Sequence, residues 1–142
     1  MAGMSKYLAL ALFNNTLNPV RASFAPPEGL YLALHTAAPS DDTYGNEATF
    51  GAYARQALNS LTAELVPAAG GNVDVEVTNG ASVTFPASTG AVGQTITHWA
   101  IWDSSAVGTG NILYSGAIVP SRTVGNGDVV VVPAGNLVIT LK

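Results

Sequence analysis

Short runs of apolar and β-branched residues alternate with glycine-containing turns along most of this sequence. The turns include Gly70-Gly71, Asn79-Gly80 and Gly125-Asn126-Gly127. Glycine adopts positive φ at little cost, and asparagine tolerates it, so such residues close tight connections between neighbouring strands. Runs this short, bounded by turn-forming residues, are typical of strands. The pattern therefore predicts an all-β chain.

About eight segments have this strand-like character. A jelly-roll-like antiparallel β-sandwich is the architecture we expect for that number of strands. Parallel α/β folds are disfavoured because no helices alternate with the strands. In the segment Val73–Thr78, Asp74 and Glu76 alternate with valines, which predicts that one face of this strand is exposed to solvent. The segments are Leu30–His35, Ala52–Leu58, Val73–Thr78, Ser82–Phe85, Ile96–Trp102, Ile112–Val119, Val129–Val132 and Leu137–Leu141.

One helix is predicted at the N-terminus, over about residues 5–17. Ser5 suits the N-cap position, and the Ala- and Leu-rich residues that follow are strong helix formers. Asparagines and Pro19 end the pattern. The apolar residues run almost all round the helix, so we expect it to be buried against a sheet or a partner.

The chain has 142 residues, which is the size of one domain. We therefore predict a single domain over 1–142, with the sandwich over about 29–142. Charged residues make up 10% of the chain, against about 25% in an average soluble domain. So few charges indicate a surface partly covered by neighbouring subunits. The alternative is a monomer with a neutral coat of Thr, Asn and Ser.

The charge pattern and the apolar stretches bear on which partners to expect. The formal net charge is −4, and the cations are scattered, so direct contact with nucleic acid is not predicted. The apolar stretch from Met4 to Phe13 is too short to span a bilayer and lacks a basic leader region, so neither membrane insertion nor export is predicted. The cations are Lys6, Arg21, Arg55, Arg122 and Lys142.

Residues that could carry out catalysis are few. The chain has no cysteine and only two histidines, His35 and His98, and no familiar catalytic, phosphate-binding or metal-binding motif is present. Strand alternation places His98 and Asp103 on opposite faces, so they do not form an acid–base pair. We therefore predict that the chain is not an enzyme and has no cofactor and no metal. A Ser-His-Asp arrangement stays open, because its members can lie far apart in sequence.

The sequence also offers two alternative kinds of binding site, one for calcium and one for a carbohydrate. The loop with Asp41, Asp42, Asn46 and Glu47 offers oxygen ligands for calcium, but its spacing follows no calcium-binding scheme, and an exposed acidic turn is the expectation. Trp99 and Trp102 invite comparison with carbohydrate-binding modules. Alternation puts them on opposite faces of one strand, so at least one should lie in the core.

Seven stretches stand in a distinctive order and spacing: Leu30–Thr36, Tyr53–Ala57, Thr95–Asp103, Gly110–Ala117, Arg122–Val124, Gly127–Asp128 and Ala134–Leu141. Together they resemble a family of small proteins of tailed-phage genomes that are labelled tail-fibre-like. Small jelly-roll chains of this size also look like the cement, or decoration, proteins that clamp phage capsids. The resemblance implies a structural protein of the virion.

Between these roles, the sequence features favour capsid cement on the capsid exterior, assembled in the host cytoplasm. The chain shows no internal repeat of the kind found in a fibre shaft. The expected partners are the major capsid protein and other copies of the chain, as a dimer or trimer. A tail-associated protein, at a fibre base or tail tip, is the alternative. We expect the partner to be contacted by strand edges, by the N-terminal helix and by the acidic loop. The residues expected at these contacts are Ser5, Tyr7, Leu8, Leu12, Phe13, Asp41, Asp42, Tyr44 and Glu47.

Overall fold

The computed structural model describes residues 3–18, 25–40, 45–90 and 93–141, and it is an all-β sandwich with one N-terminal helix. The helix α1 spans Lys6–Thr16. A short 3-10 turn, Ala69–Gly71, joins two of the strands. The described strands are β1 Gly3–Met4, β2 Tyr31–His35, β3 Gln56–Ala57, β4 Leu61–Pro67, β5 Val73–Asn79, β6 Val83–Thr84, β7 Gln94–Trp102, β8 Ile112–Val124, β9 Val131–Val132 and β10 Val138–Leu141.

All of the pairs among the described strands are antiparallel, and these strands form three sheets. The largest sheet has the order β1-β8-β7-β2-β3, a second has the order β10-β5-β4, and β6 pairs with β9. The predicted all-β sandwich is thus confirmed. The main core lies where side chains of the three sheets meet. It contains Leu32, Leu34, Ile96 and Ile101 from the largest sheet, with Val83, Phe85, Leu137 and Ile139 among the residues opposite.

Strand β7 is buried on both faces. Ile101 belongs to the main core and Trp99 packs against it, whereas Ala100 and Trp102 join a second cluster behind the sheet. This two-sided burial explains why the second half of the strand, from Trp99 to Trp102, is continuously apolar. It also confirms that the two tryptophans point to opposite faces. Trp102 is enclosed and is therefore not exposed for stacking on a sugar.

The predicted helix boundaries are nearly those observed. The Ser5 side chain accepts a hydrogen bond of 3.2 Å from the backbone N–H of Leu8, as the N-cap prediction requires. At the other end the N–H of Leu17 donates to the Phe13 carbonyl at 2.9 Å. No helix among the described residues is long and apolar enough to cross a membrane.

Several strand predictions differ from the structure: β8, for example, runs on to Val124 and β9 is shorter than its predicted segment. Only Gln56–Ala57 of the predicted segment Ala52–Leu58 is a strand, because Ala52 adopts positive φ and the chain turns where the Tyr53 N–H donates to the Phe50 carbonyl. The strand Leu61–Pro67 was not predicted at all. It pairs along its whole length with β5 across the turn at residues 68–72, so its conformation depends on that partner.

Candidate functional site

Of the residues at the helix that were predicted to contact a partner, some are buried in the structure and others are exposed. Ser5 is buried as the N-cap, and Leu8 is buried in the main core. Tyr7, Leu12 and Phe13 are exposed. The helix thus rests on the sheet through one side only, and the predicted burial is not completed within the described part of the chain.

The uncovered side of the helix carries a row of large apolar side chains. Their exposed fractions are 41% for Tyr7, 58% for Leu10, 49% for Phe13 and 74% for Leu17. Spacings of three, three and four residues place them along one side of the helix, away from Leu8. We call these four residues the helix stripe. Leu10 and Leu17 were absent from the predicted contacts, although the all-round apolar pattern contained them.

Three of the predicted loop contacts, Asp41, Asp42 and Tyr44, lie outside the described residues. The fourth, Glu47, is buried, so the expectation of an exposed acid at that position was wrong. Its carboxylate accepts two hydrogen bonds from Arg55, one from Nε and one from Nη2, each of 2.8 Å. This bidentate pairing neutralises both charges, and it explains how two ionised groups are tolerated in the interior.

Arg55 also ties together parts of the chain that are distant in sequence. Its Nη1 donates to the backbone carbonyls of Ser104 at 2.9 Å and Thr109 at 3.0 Å. The guanidinium carbon lies 3.9 Å from the centroid of the Trp102 ring, in cation–π contact. The loop at 103–111 is therefore fastened to the segment that carries Glu47.

Tyr53 and His35 complete this buried cluster. The Tyr53 hydroxyl donates to Glu47 Oε1 at 3.0 Å and accepts from the Leu34 N–H at 3.1 Å. Burial, reinforced by the negative charge of Glu47, raises the pKa of Tyr53 above its usual range. His35 accepts a 3.4 Å hydrogen bond from Trp102 Nε1, and burial lowers the pKa of His35 to about 4 against the partial opposition of Glu47.

These contacts describe a structural cluster in which the carboxylate of Glu47 binds both Arg55 and Tyr53. Glu47 accepts three hydrogen bonds, and His35 is neutral near pH 7 because of its lowered pKa. The cluster joins the loop after β2, which carries Glu47, to the loop at 103–111. Among the described residues, no group of three or more His, Asp or Glu is placed to hold a metal ion.

An open cleft of about 470 Å³ lies between the largest sheet and the segment at 130–133. Trp99 forms one wall, packed over Gly116 of the neighbouring strand. Arg122 and Asn136 add polar side chains to the lining, so the cleft offers both apolar and polar surface. The other lining residues are Leu32, Leu34, Ile96, Ala117, Ile118, Val119, Val130, Val131, Val132, Pro133, Asn136 and Leu137.

Comparison with known proteins gives one family. The model of the family described as "Podophage GP4 fiber I protein gp80" matches residues 3–140 of the chain. The match extends from the first described strand almost to the end of the last one. No curated protein sequence matches the chain.

Proposed function

The chain belongs to the podophage fibre I protein family, and from this premise we propose that it is a subunit of a tail-associated fibre. It is a tail-fibre-like structural protein of a bacteriophage, as its resemblance to tailed-phage proteins predicted. The family description favours the tail-associated alternative over capsid cement on the capsid exterior. Lack of an internal repeat, which had favoured cement, is a weaker argument than a match over nearly the whole chain.

The helix stripe is the observation that carries the proposed attachment role. Exposing four large apolar side chains to water costs free energy, and contiguous apolar patches on soluble proteins commonly mark interaction sites. Lys6 is the charged residue of this helix, so a highly charged partner surface would find little to pair with. We propose that the stripe seats the subunit on an apolar surface of an adjoining fibre or tail protein.

The proposed role is binding without catalysis. Its support lies in the buried cluster, where Glu47 and Arg55 bind each other and His35 is enclosed. Such groups stabilise the fold and offer no reacting atom to a substrate. The cleft, with its mixed apolar and polar lining, is likewise suited to receiving a side chain of a neighbouring subunit.

Location and copy number test the proposal. Antibody labelling of purified virions should place the chain on the tail, and quantitative gel analysis should find few copies in each particle. Label distributed over the shell, with hundreds of copies in each particle, would overturn the tail assignment and restore the cement hypothesis.

A further inference from the structure

The open cleft between the largest sheet and the segment at 130–133 owes one wall to extra length in β8. At a register shift, the single residue Thr97 of β7 lies opposite four residues of β8, 118–121. Such a bulge displaces the longer strand from regular pairing and re-aims its side chains. Val119 belongs to this bulge, lines the cleft and is 87% exposed. The wall is thus a local departure from the sheet, outside the packed core.

The opposite wall is held in place by the buried side chain of Asn79. Its Nδ2 donates to the Pro133 carbonyl at 2.8 Å, and its Oδ1 accepts from the Leu137 N–H at 2.8 Å. These bonds fix both ends of the turn at 133–137, which brings the exposed residue Asn136 to the cleft. A wall that is ordered before a ligand arrives lowers the entropic cost of binding.

Trp99 supplies the aromatic surface of the cleft. It pairs with Gly116, and a Cβ atom on that glycine would lie 2.7 Å from Cζ2, 2.9 Å from Cε2 and 3.1 Å from Nε1 of the indole. The ring therefore lies across the β8 backbone at a residue without a side chain. Trp99 is only partly buried, so it keeps ring surface open to the cleft. An indole supported in this way is a fixed platform on which a ligand can stack.

Three polar groups around the cleft are unused by the part of the chain that the structure describes. The indole N–H of Trp99, the guanidinium of Arg122 and the side-chain amide of Asn136 have no hydrogen-bond or ionic partner there. Arg55 and Asn79, by contrast, bind the chain itself. A ligand that uses the whole cleft therefore needs an apolar face for the indole and several oxygen atoms around its rim.

We propose that the cleft binds one unit of a saccharide. One face of a pyranose ring consists largely of C–H groups and packs against an indole, while the hydroxyls at its rim accept hydrogen bonds from amide and guanidinium groups. The cleft volume of about 470 Å³ lies within the range of about 300 to 1,000 Å³ for small-molecule sites. The carbohydrate alternative that the two tryptophans raised thus applies to Trp99 and not to Trp102.

Other classes of ligand fit the cleft less well. A nucleic acid needs several cations, and Arg122 is the charged residue of the cleft. A wholly apolar ligand would cover that guanidinium and the Asn136 amide without giving them partners. The inference goes beyond the proposed function, because no residue of the helix stripe lines the cleft. A subunit seated through the stripe can therefore still bind a saccharide.

Tryptophan fluorescence tests the inference, because Trp99 is partly exposed whereas Trp102 is enclosed. The chain is titrated with glucose, galactose, rhamnose, N-acetylglucosamine and galacturonic acid. At least one of these sugars should change the emission saturably, with a dissociation constant on the order of 1 mM for a ligand of this size. No saturable change with any of them would overturn the inference.

Variants locate the bound sugar. Arg122→Gln and Asn136→Ala should each weaken binding at least fivefold, since each removes a polar partner. Both residues are exposed, so urea denaturation should show unchanged stability. Asn126→Ala removes an exposed amide outside the cleft and is the matched control, which should bind as the wild type does. Equal binding by all three variants would place the sugar elsewhere and contradict the inference.

A protein side chain is the competing occupant of the cleft, and incorporation into virions separates it from a sugar. If no sugar binds and Arg122→Gln lowers incorporation, the cleft holds a side chain of a neighbouring subunit and the saccharide inference is wrong. Sugar binding by a chain whose antibody label lies on the shell would support the inference and reject only the tail assignment.

Discussion

The guanidinium of Arg55 holds both carboxylate oxygens of Glu47 at 2.8 Å in a place where the two side chains are 0% and 3% exposed. The pair joins a loop after β2 to the segment before β3, and Arg55 continues to the carbonyls of the loop at 103–111. It therefore stabilises one side of the sandwich through three separate parts of the chain.

Removal of one member of this pair should be strongly destabilising. Glu47→Ala leaves a buried guanidinium without its counter-charge, and we expect a loss of about 3 to 5 kcal/mol in the free energy of unfolding, measured by urea denaturation. Glu64→Ala removes an exposed acid and should change stability by less than about 0.5 kcal/mol. Similar losses in the two variants would contradict the role assigned to the pair.

Acid should weaken the fold through His35. The pKa of His35 is about 4 in the folded state and about 6.5 when the chain is unfolded, so the unfolded state binds the proton first. This contribution to stability is unchanged above pH 6.5 and falls by about 3 kcal/mol as pH falls to about 4. Urea denaturation at pH 7 and pH 4.5 measures it.

A comparison of variants isolates the histidine from other acid-sensitive groups. His35→Phe should lose this part of the pH dependence, whatever its stability at pH 7. His98→Gln should retain it, because this variant leaves the buried His35 in place. If His35→Phe and the wild-type chain lose stability in parallel between pH 7 and pH 4.5, His35 does not titrate as described.

A charge on the helix stripe should block incorporation into virions without unfolding the chain. Phe13→Lys places a cation in the apolar row, and we expect at least a tenfold drop in incorporated protein, measured by gel analysis of complemented virions. Asn15→Lys adds the same charge at another exposed helical position and should incorporate normally. Urea denaturation should give both variants stabilities within about 0.5 kcal/mol of wild type.

Gly116 should tolerate no side chain. A Cβ atom at this position would lie 2.7 Å from Cζ2 of Trp99, which is closer than packed atoms allow. Gly116→Ala forces the indole out of its place, and we expect a loss of about 1 to 3 kcal/mol, with altered tryptophan fluorescence. Gly3→Ala meets open space and is the control. An unperturbed Gly116→Ala variant would show that Trp99 is not fixed against β8.

Local sequence signals were sufficient for part of the fold. Ser5 begins the helix because a short side-chain oxygen can cap the first turn. The apolar run of β7 required a strand buried on both faces, and simple alternation separated Trp99 from Trp102. In each case the determining interaction lies within a few residues along the chain, where sequence patterns are informative.

Only the tertiary structure decided the rest. Glu47 in an acidic turn has the pattern of a solvated residue, and its burial depends on Arg55 and on carbonyls more than forty residues away. The strand Leu61–Pro67 depends on its register with β5, and the apolar helix could have been covered by the chain itself. Glycine-punctuated apolar runs determined an all-β chain, whereas long-range pairing decided which polar groups are buried and which apolar faces stay open to partners.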